Sequence, residues 1–108
     1  MAAAHQREHR ARAYKAQYQR DSRNEARSLI RAAKSAPCTD CGVKLPPEVM
    51  DLDHVRGDKA FNFGKLHKIA GAGPAFVQKV RDEIAKCEPC CPNCHRMRHY
   101  RARSGMMG

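Results

Sequence analysis

Two CxxC pairs constrain this chain more than any other feature. Cys38 and Cys41 form the first pair, Cys91 and Cys94 form the second, and 49 residues lie between them. Four thiolates presented by two turns match the tetrahedral coordination of structural zinc. A chain of 108 residues with no Trp, three Phe and three Tyr benefits from such a crosslink, because a small domain buries little apolar surface. The sequence therefore predicts a structural Zn²⁺ site around which the intervening segment folds.

Two further cysteines leave alternatives open. Cys87 and Cys90 form a CxxC pair that overlaps the second one. Cys91 and Cys94 are the favoured ligands, because Cys87 continues an apolar helical spacing and a free cysteine is often a small buried hydrophobe. A redox dithiol is the other interpretation, although the βαβ pattern that usually accompanies it is absent. The sequence does not assign roles to Cys87 and Cys90.

The formal net charge of +10 is concentrated at the two ends of the chain. Residues 1–36 carry nine Lys and Arg against three acids, residues 95–108 carry four against none, and the segment between them is balanced. Basic ends around a neutral centre favour a polyanion-binding protein whose ends contact phosphates. The alternative is a basic chain whose charge serves solubility alone.

The chain carries no signal for a membrane. No apolar stretch follows Met1, and no run approaches the ~18 apolar residues of a membrane-spanning helix. The expectation is a cytoplasmic protein with no membrane partner.

The residue pattern predicts a one-domain α+β fold with a helical arm. Residues 5–34 lack Gly and Pro and favour one helix, or two with a break near residue 21, mostly exposed. Alternation predicts a strand over residues 49–55 and a return strand over residues 60–63, which together form a hairpin. Helices are expected over residues 74–86 and 95–103. The predicted division is a basic helical arm (1–36), a zinc-knuckle domain (37–103) and a flexible tail (104–108).

Chemistry is expected between and after the cysteine pairs. Asp53 and His54 are adjacent on the predicted strand, so their side chains point to opposite faces. His95 and His99 are four residues apart and project from one face of the last helix, a spacing suited to a metal ion. Metal-assisted phosphodiester hydrolysis requires a base for water and a cation for the phosphate, and these residue types provide both.

The ordered segments CTDC, PPEVMDLDHVRGDKAFNFG and EIAKCEPCCPNCHRMRHY resemble the HNH (ββα-metal) endonucleases, in particular their treble-clef-like zinc-knuckle branch of phage and bacterial proteins. The resemblance covers roughly residues 37 to 100. It implies a hydrolase in which His54 is the general base, and Asp53 and His95 bind one catalytic divalent metal. His99 would be a third ligand or a phosphate contact. The implied metal is Mg²⁺ or Mn²⁺, with Ni²⁺ or Zn²⁺ as alternatives, and the implied products carry 5'-phosphate and 3'-hydroxyl ends.

The sequence departs from the HNH motif at its central Asn. In many relatives an Asn lies nine residues before the final His, and Lys86 stands at that position here. Asn93, within the second cysteine pair, is the preferred catalytic substitute, and Asn62 is the other candidate.

The resemblance implies DNA as the partner, with a homodimer or a larger phage or bacterial DNA-processing complex as further expectations, in the host cytoplasm if a phage encodes the chain. Basic residues near the site are the expected DNA contacts: Arg56, Lys59, Arg96, Arg98, Arg101 and Arg103. Each of them could instead be a solvated surface residue. His54 could likewise be a structural strand histidine, and His99 part of a solvated helix. The rival function is a non-catalytic zinc-knuckle nucleic-acid-binding protein.

Overall fold

The computed structural model describes the backbone of residues 2–105 and, within that range, the side chains of residue 8 and residues 10–105. Its architecture is a mixed α+β fold with a two-stranded antiparallel sheet, as expected at that level. The elements in chain order are α1 (Ala2–Lys34), a 3-10 helix (Pro47–Val49), β1 (Asp51–His54), a second 3-10 segment (Phe63–Lys68), α2 (Gly73–Ile84), β2 (Cys87–Cys90) and α3 (Pro92–Ser104). The predicted helices at 74–86 and 95–103 are confirmed, with slightly different ends.

The strand that pairs with β1 is β2. Asp51 lies opposite Cys90, and His54 lies opposite Cys87. The predicted hairpin with residues 60–63 is therefore wrong, although the predicted strand around Asp53 is confirmed over four residues. Cys87 and Cys90 are buried at the two ends of β2. The strand that pairs with β1 therefore lies in the protein interior at both of its ends.

Local hydrogen bonds explain why the predicted hairpin does not form. The backbone N–H groups of Val55 and Arg56 both donate to Lys86 O, at 2.8 and 3.0 Å, which directs the chain after β1 to the end of α2. The Asn62 side chain accepts from Gly64 N at 3.0 Å and begins the second 3-10 segment. An Asn side chain that bonds to a backbone N–H two residues ahead favours a turn over an extended strand.

The larger apolar core lies between α1 and α2. α1 runs without interruption, and its Ala26 and Ile30 are buried against α2. α2 contributes the apolar stripe predicted from its 3-4 spacing, of which Phe76, Val77 and Val80 are buried. Most of the described side chains of α1 are exposed, as expected, and the buried ones belong to Ser22, Ala26 and Ile30. Packing crosses the predicted boundary between residues 36 and 37.

The start of α2 approaches α1 so closely that it requires glycine. Gly73 N donates to Ser22 Oγ at 2.7 Å, and Ser22 Oγ in turn donates to Tyr18 O at 2.9 Å. A Cβ atom on Gly73 would lie 1.9 Å from the Tyr18 hydroxyl oxygen, and its φ of +71° lies in the left-handed region. Arg23 crosses the same junction and donates to the carbonyls of Ile69 and Gly71.

α3 ends where the predicted tail begins. Ser104 is its last residue, and Gly105 caps it with a φ of +71° and an N–H bond to Arg101 O. The remainder of the predicted tail, residues 106–108, lies outside the described residues. Over residues 2–105, none of the helices has the length and apolar character that a bilayer crossing requires.

Candidate metal centre

Two turns bring the paired cysteines together. The first turn is closed by Gly42 N donating to Cys38 O at 2.9 Å, with Gly42 at a φ of +77°. Thr39 N binds Pro89 O at 2.9 Å and attaches this turn to β2. Cys91 is the N-cap of α3, and its Sγ accepts from Cys94 N at 3.4 Å. The first turn of a helix and a tight turn beside the sheet therefore face each other.

We call the resulting set the four-cysteine cluster: Cys38, Cys41, Cys91 and Cys94. Their sulfur atoms all lie within 4.8 Å of one another. The Sγ atoms of Cys41 and Cys91 are 3.9 Å apart, whereas tetrahedral zinc with Zn–S bonds of about 2.3 Å places its sulfurs about 3.8 Å apart. Backbone hydrogen bonds from Cys91 and Cys41 lower the pKa of Cys38, which favours the thiolate form that binds a metal. The cluster could hold a structural metal such as zinc.

The other two cysteines lie outside the cluster and are shielded. Cys87 Sγ donates to Glu83 O at 3.3 Å, and Cys90 is fully buried beside Met50. Burial raises the pKa of Cys87 to about 11 and that of Cys90 to about 12. Both groups remain thiols at neutral pH, and a buried thiol is a poor nucleophile. The structure thus selects Cys91 and Cys94 from the overlapping CxxC pairs.

Three predicted metal ligands converge next to the cluster, and we call them the Asp-His-His group: Asp53, His95 and His99. His95 Nε2 is 3.3 Å from Asp53 Oδ1 and 3.2 Å from His99 Nε2. All three donor atoms lie within 4.8 Å of one another. Ligand atoms bound at about 2.0–2.2 Å from one metal ion lie about 3 Å or slightly more apart. The donor set therefore fits a divalent cation, with nitrogen and oxygen ligands in place of sulfur.

A second aspartate on β1 orients one of these ligands. Asp51 Oδ2 is 3.0 Å from His95 Nδ1, so the carboxylate holds the Nδ1 proton and leaves His95 Nε2 facing Asp53. A carboxylate behind a ligating histidine fixes the ring tautomer and raises the basicity of the ligand. Sequence reasoning missed Asp51, although strand alternation already placed it on the same face as Asp53.

The two oxygen atoms of Asp53 have different neighbours. Oδ1 faces His95, and Oδ2 accepts from Arg98 Nη1 at 2.9 Å. Arg98 also binds the carboxylates of Asp40 and Glu88. The hydrogen bonds that Arg98 donates to Asp40 raise the pKa of Arg98 and lower the pKa of Asp40. Arg98, a predicted DNA contact, is thus compensated by three acids, and its side chain is 19% exposed.

His54 is turned toward a buried glutamate. Its Nε2 is 2.9 Å from Glu83 Oε2, and its ring stacks on Phe63 with 5.5 Å between centroids. Glu83 also accepts from Ala60 N at 2.8 Å and Lys86 Nζ at 2.9 Å. Burial would raise the pKa of Glu83, but the hydrogen bonds from Lys86 and Ala60 outweigh it and lower that pKa. With Glu83 ionised, Nε2 of His54 carries the proton and Nδ1 is the basic nitrogen.

Glu83 could not be recognised from any motif. The sequence indicates only that Glu83 is buried, because it lies at helical spacing from Phe76 and Val80 in the apolar stripe of α2. An acidic residue at such a position is buried and needs hydrogen-bond partners.

One cleft of about 500 Å³ adjoins both Asp53 and His54. Adjacent residues within a strand point to opposite faces, yet both of these residues line the cleft. His54 is the last residue of β1, so the alternation ends there. The lining residues are Asp40, Asp53, His54, Val55, Arg98, His99, Arg101 and Ala102. Acids, imidazoles and arginines thus meet at one opening.

The remaining predicted site residues lie outside these contacts. Asn93 is exposed in the first turn of α3, whereas Asn62 caps the second 3-10 segment. Arg56 donates to Ala85 O at 3.0 Å and to Cys87 O at 2.9 Å, which holds the end of α2. Arg101 lines the cleft. Exposed positions are occupied by Lys59, Arg96 and Arg103.

Comparison of the chain with protein-family models, curated proteins and solved structures gives no match.

Proposed function

We propose that this protein is a metal-dependent DNA endonuclease of the HNH type. The observation that carries the proposal is the convergence of the Asp-His-His donor atoms within 4.8 Å, in a cleft that His54 also lines. The order β1, β2 and α3 supports it as well, since Asp53 and His54 lie on β1, which pairs with β2, and His95 and His99 lie on α3. A bound divalent cation would supply positive charge to the scissile phosphate and the departing oxygen.

His54 is the proposed general base. Its Nδ1 has no hydrogen-bond partner among the described residues, whereas its Nε2 is held by Glu83. Removal of a proton from water by Nδ1 creates an imidazolium next to a carboxylate, which stabilises that charge. Glu83 is therefore the proposed positioning residue. It acts where the family would have its middle Asn, while Asn93 remains the weaker candidate because it is exposed.

Arg98 and Asp51 are proposed to arrange the ligands. Arg98 holds Oδ2 of Asp53 and leaves Oδ1 directed at the cation site. Asp51 does the same for His95 through Nδ1. Each ligand thus keeps one donor atom toward the site and one toward the protein, as expected for metal ligands with oriented side chains. The four-cysteine cluster, next to these ligands, is proposed to hold the structural Zn²⁺.

A plasmid-nicking assay tests the proposal. The zinc-loaded protein is incubated with supercoiled DNA and added Mg²⁺, Mn²⁺ or Ni²⁺, in parallel with His54→Ala and the control Gln78→Ala, at an exposed position of α2. We expect His54→Ala to lose about 10²–10⁴-fold in rate and Gln78→Ala to cleave like the wild type. If the wild-type protein leaves the plasmid intact with every metal, the proposal of a nuclease is refuted.

The rival is a zinc protein that binds nucleic acid without cutting it. The observation in its favour is that Asp53 and His54 already have internal partners in Arg98 and Glu83. Such pairs could serve stability alone. Wild-type protein that binds duplex DNA but leaves plasmid uncut would favour this rival.

A further inference from the structure

A groove between α1 and the second 3-10 segment is lined by basic residues. Its volume is about 570 Å³, and no acidic residue is among those described as lining it. One wall is α1, and the other is the stretch that follows Leu66. The cationic and imidazole side chains come from both walls: Arg20, Arg23, Arg27, His67 and Lys68.

No carboxylate of the described residues pairs with the arginines of this groove. Arg20 and Arg27 donate to the side-chain amides of Gln17 and Asn24, and Arg23 donates to backbone carbonyls. These acceptors are neutral, so each guanidinium keeps its full charge. The pattern is different near the cleft, where Arg98 binds three carboxylates.

We propose that this groove binds the phosphate backbone of duplex DNA. The choice of DNA rests on the proposed function. Arg20 and Arg27 are separated by about 10 Å along the axis of α1, a length that faces about three successive phosphates of one strand. Arginines whose partners are neutral can exchange them for phosphate oxygens, which are stronger acceptors.

The composition of the groove argues against a membrane surface. An interfacial helix buries Trp, Phe or Leu into lipid, whereas the groove's apolar members are Ala16, Ile69 and Ala70. Its cations also come from two elements that face each other. That arrangement suits a narrow polyanion more than a flat surface.

A charge-matched pair of variants tests the groove. Arg27→Gln with Lys68→Gln removes one cation from each wall. Lys79→Gln with Arg81→Gln removes the same charge from exposed positions of α2, where Arg81 lines a different groove beside Asp21 and Glu25. Binding of a short fluorescent DNA duplex is measured against salt, with zinc-loaded protein and no added Mg²⁺ or Mn²⁺. Zinc content and thermal melting show that every chain is folded.

The groove variant is expected to bind about tenfold more weakly at low salt, and its slope of log affinity against log salt should fall by about 2. The α2 control should stay within about twofold of the wild type. Equal losses in the two variants would overturn the proposal. So would groove-dependent binding to polyglutamate or phosphatidylserine vesicles by a protein that does not bind the duplex. Binding is measured without the cleavage metals, so it tests the groove alone. The proposed nuclease activity is tested separately by plasmid cleavage with the wild-type protein.

Discussion

Two neighbouring groups of metal-type ligands are built on the same stretch of α3, yet they differ in their donor atoms and in their number of ligands. The four-cysteine cluster offers four sulfur atoms, of which those of Cys38 and Cys91 belong to buried residues and that of Cys41 to an exposed one. The Asp-His-His group is made of oxygen and nitrogen, and His99 is exposed at the cleft. Cys94 and His95 are adjacent in the chain, so one helical turn contributes to both.

The difference follows the general division between closed structural sites and open catalytic ones. Four protein ligands complete a tetrahedral zinc site and leave no position for a substrate. Three protein ligands leave a position open, and a cleft gives a phosphate access to it. The first group could therefore hold a structural metal, and the nuclease chemistry that we propose is assigned to the second.

The largest expected effect is the loss of one cluster ligand. Cys41 is exposed, so Cys41→Ser removes little apolar burial and tests coordination itself. Structural zinc contributes about 10–16 kcal/mol of apparent binding free energy in small zinc domains, and we expect the variant to lose zinc and its cooperative thermal transition. Measurement of zinc per chain and circular dichroism checks this. A stable, zinc-free variant would show that the cluster is not structural.

Loss of a ligand from the Asp-His-His group should affect activity and leave the fold intact. His95→Ala removes the donor atom at the centre of the group, and we expect plasmid cleavage to fall by about 10²–10⁴-fold. Zinc content and melting temperature should match those of the wild type. If His95→Ala instead melts as Cys41→Ser does, the division between the two groups fails.

The buried glutamate is expected to give an intermediate effect. Glu83→Gln should cost about 1–3 kcal/mol of stability, because Lys86 and His54 lose a charged partner. Its lowered pKa means that this contribution is present above about pH 4.5, the ordinary value of a glutamate, and is lost as the pH falls through the folded value. Urea unfolding at pH 7 and pH 4 checks this.

The exposed Asp82→Asn, on the same helix, is the matched control for Glu83→Gln. It should unfold like the wild type at both pH values. A stability difference between Glu83→Gln and the control that grows toward pH 4 would contradict the ionised Glu83.

The smallest effect is expected for the residue behind the metal ligand. Asp51→Asn weakens the orientation of His95 without removing a donor atom, and such changes cost about 10–100-fold in metal affinity. The activity should return at higher Mn²⁺ concentration, which a metal titration of the cleavage rate checks. A loss of activity that no metal concentration restores would assign Asp51 a role beyond positioning.

Spacing and residue type were sufficient to predict much of the molecule. The CxxC pairs, the His95 and His99 spacing and the apolar stripe of α2 are local patterns, and the turn or helix that each implies determines which side chains share a face. The prediction of a hairpin was wrong because residues 60–63 have the local pattern of a strand but do not pair with β1. Strand pairing depends on which segment is brought alongside, and that is a property of the whole chain.

The sequence by itself determined which side chains could bind a metal and which ends of the chain are basic. The tertiary structure decided their partners. It joined Glu83 to His54 and Arg98 to Asp53, and it left the arginines of the groove beside Arg27 without a carboxylate partner among the described residues. The two joined pairs are 29 and 45 positions apart in the chain, and no local period encodes them. They follow from the packing of α2 and α3 against β1, in which buried charges must be paired where the fold brings them together.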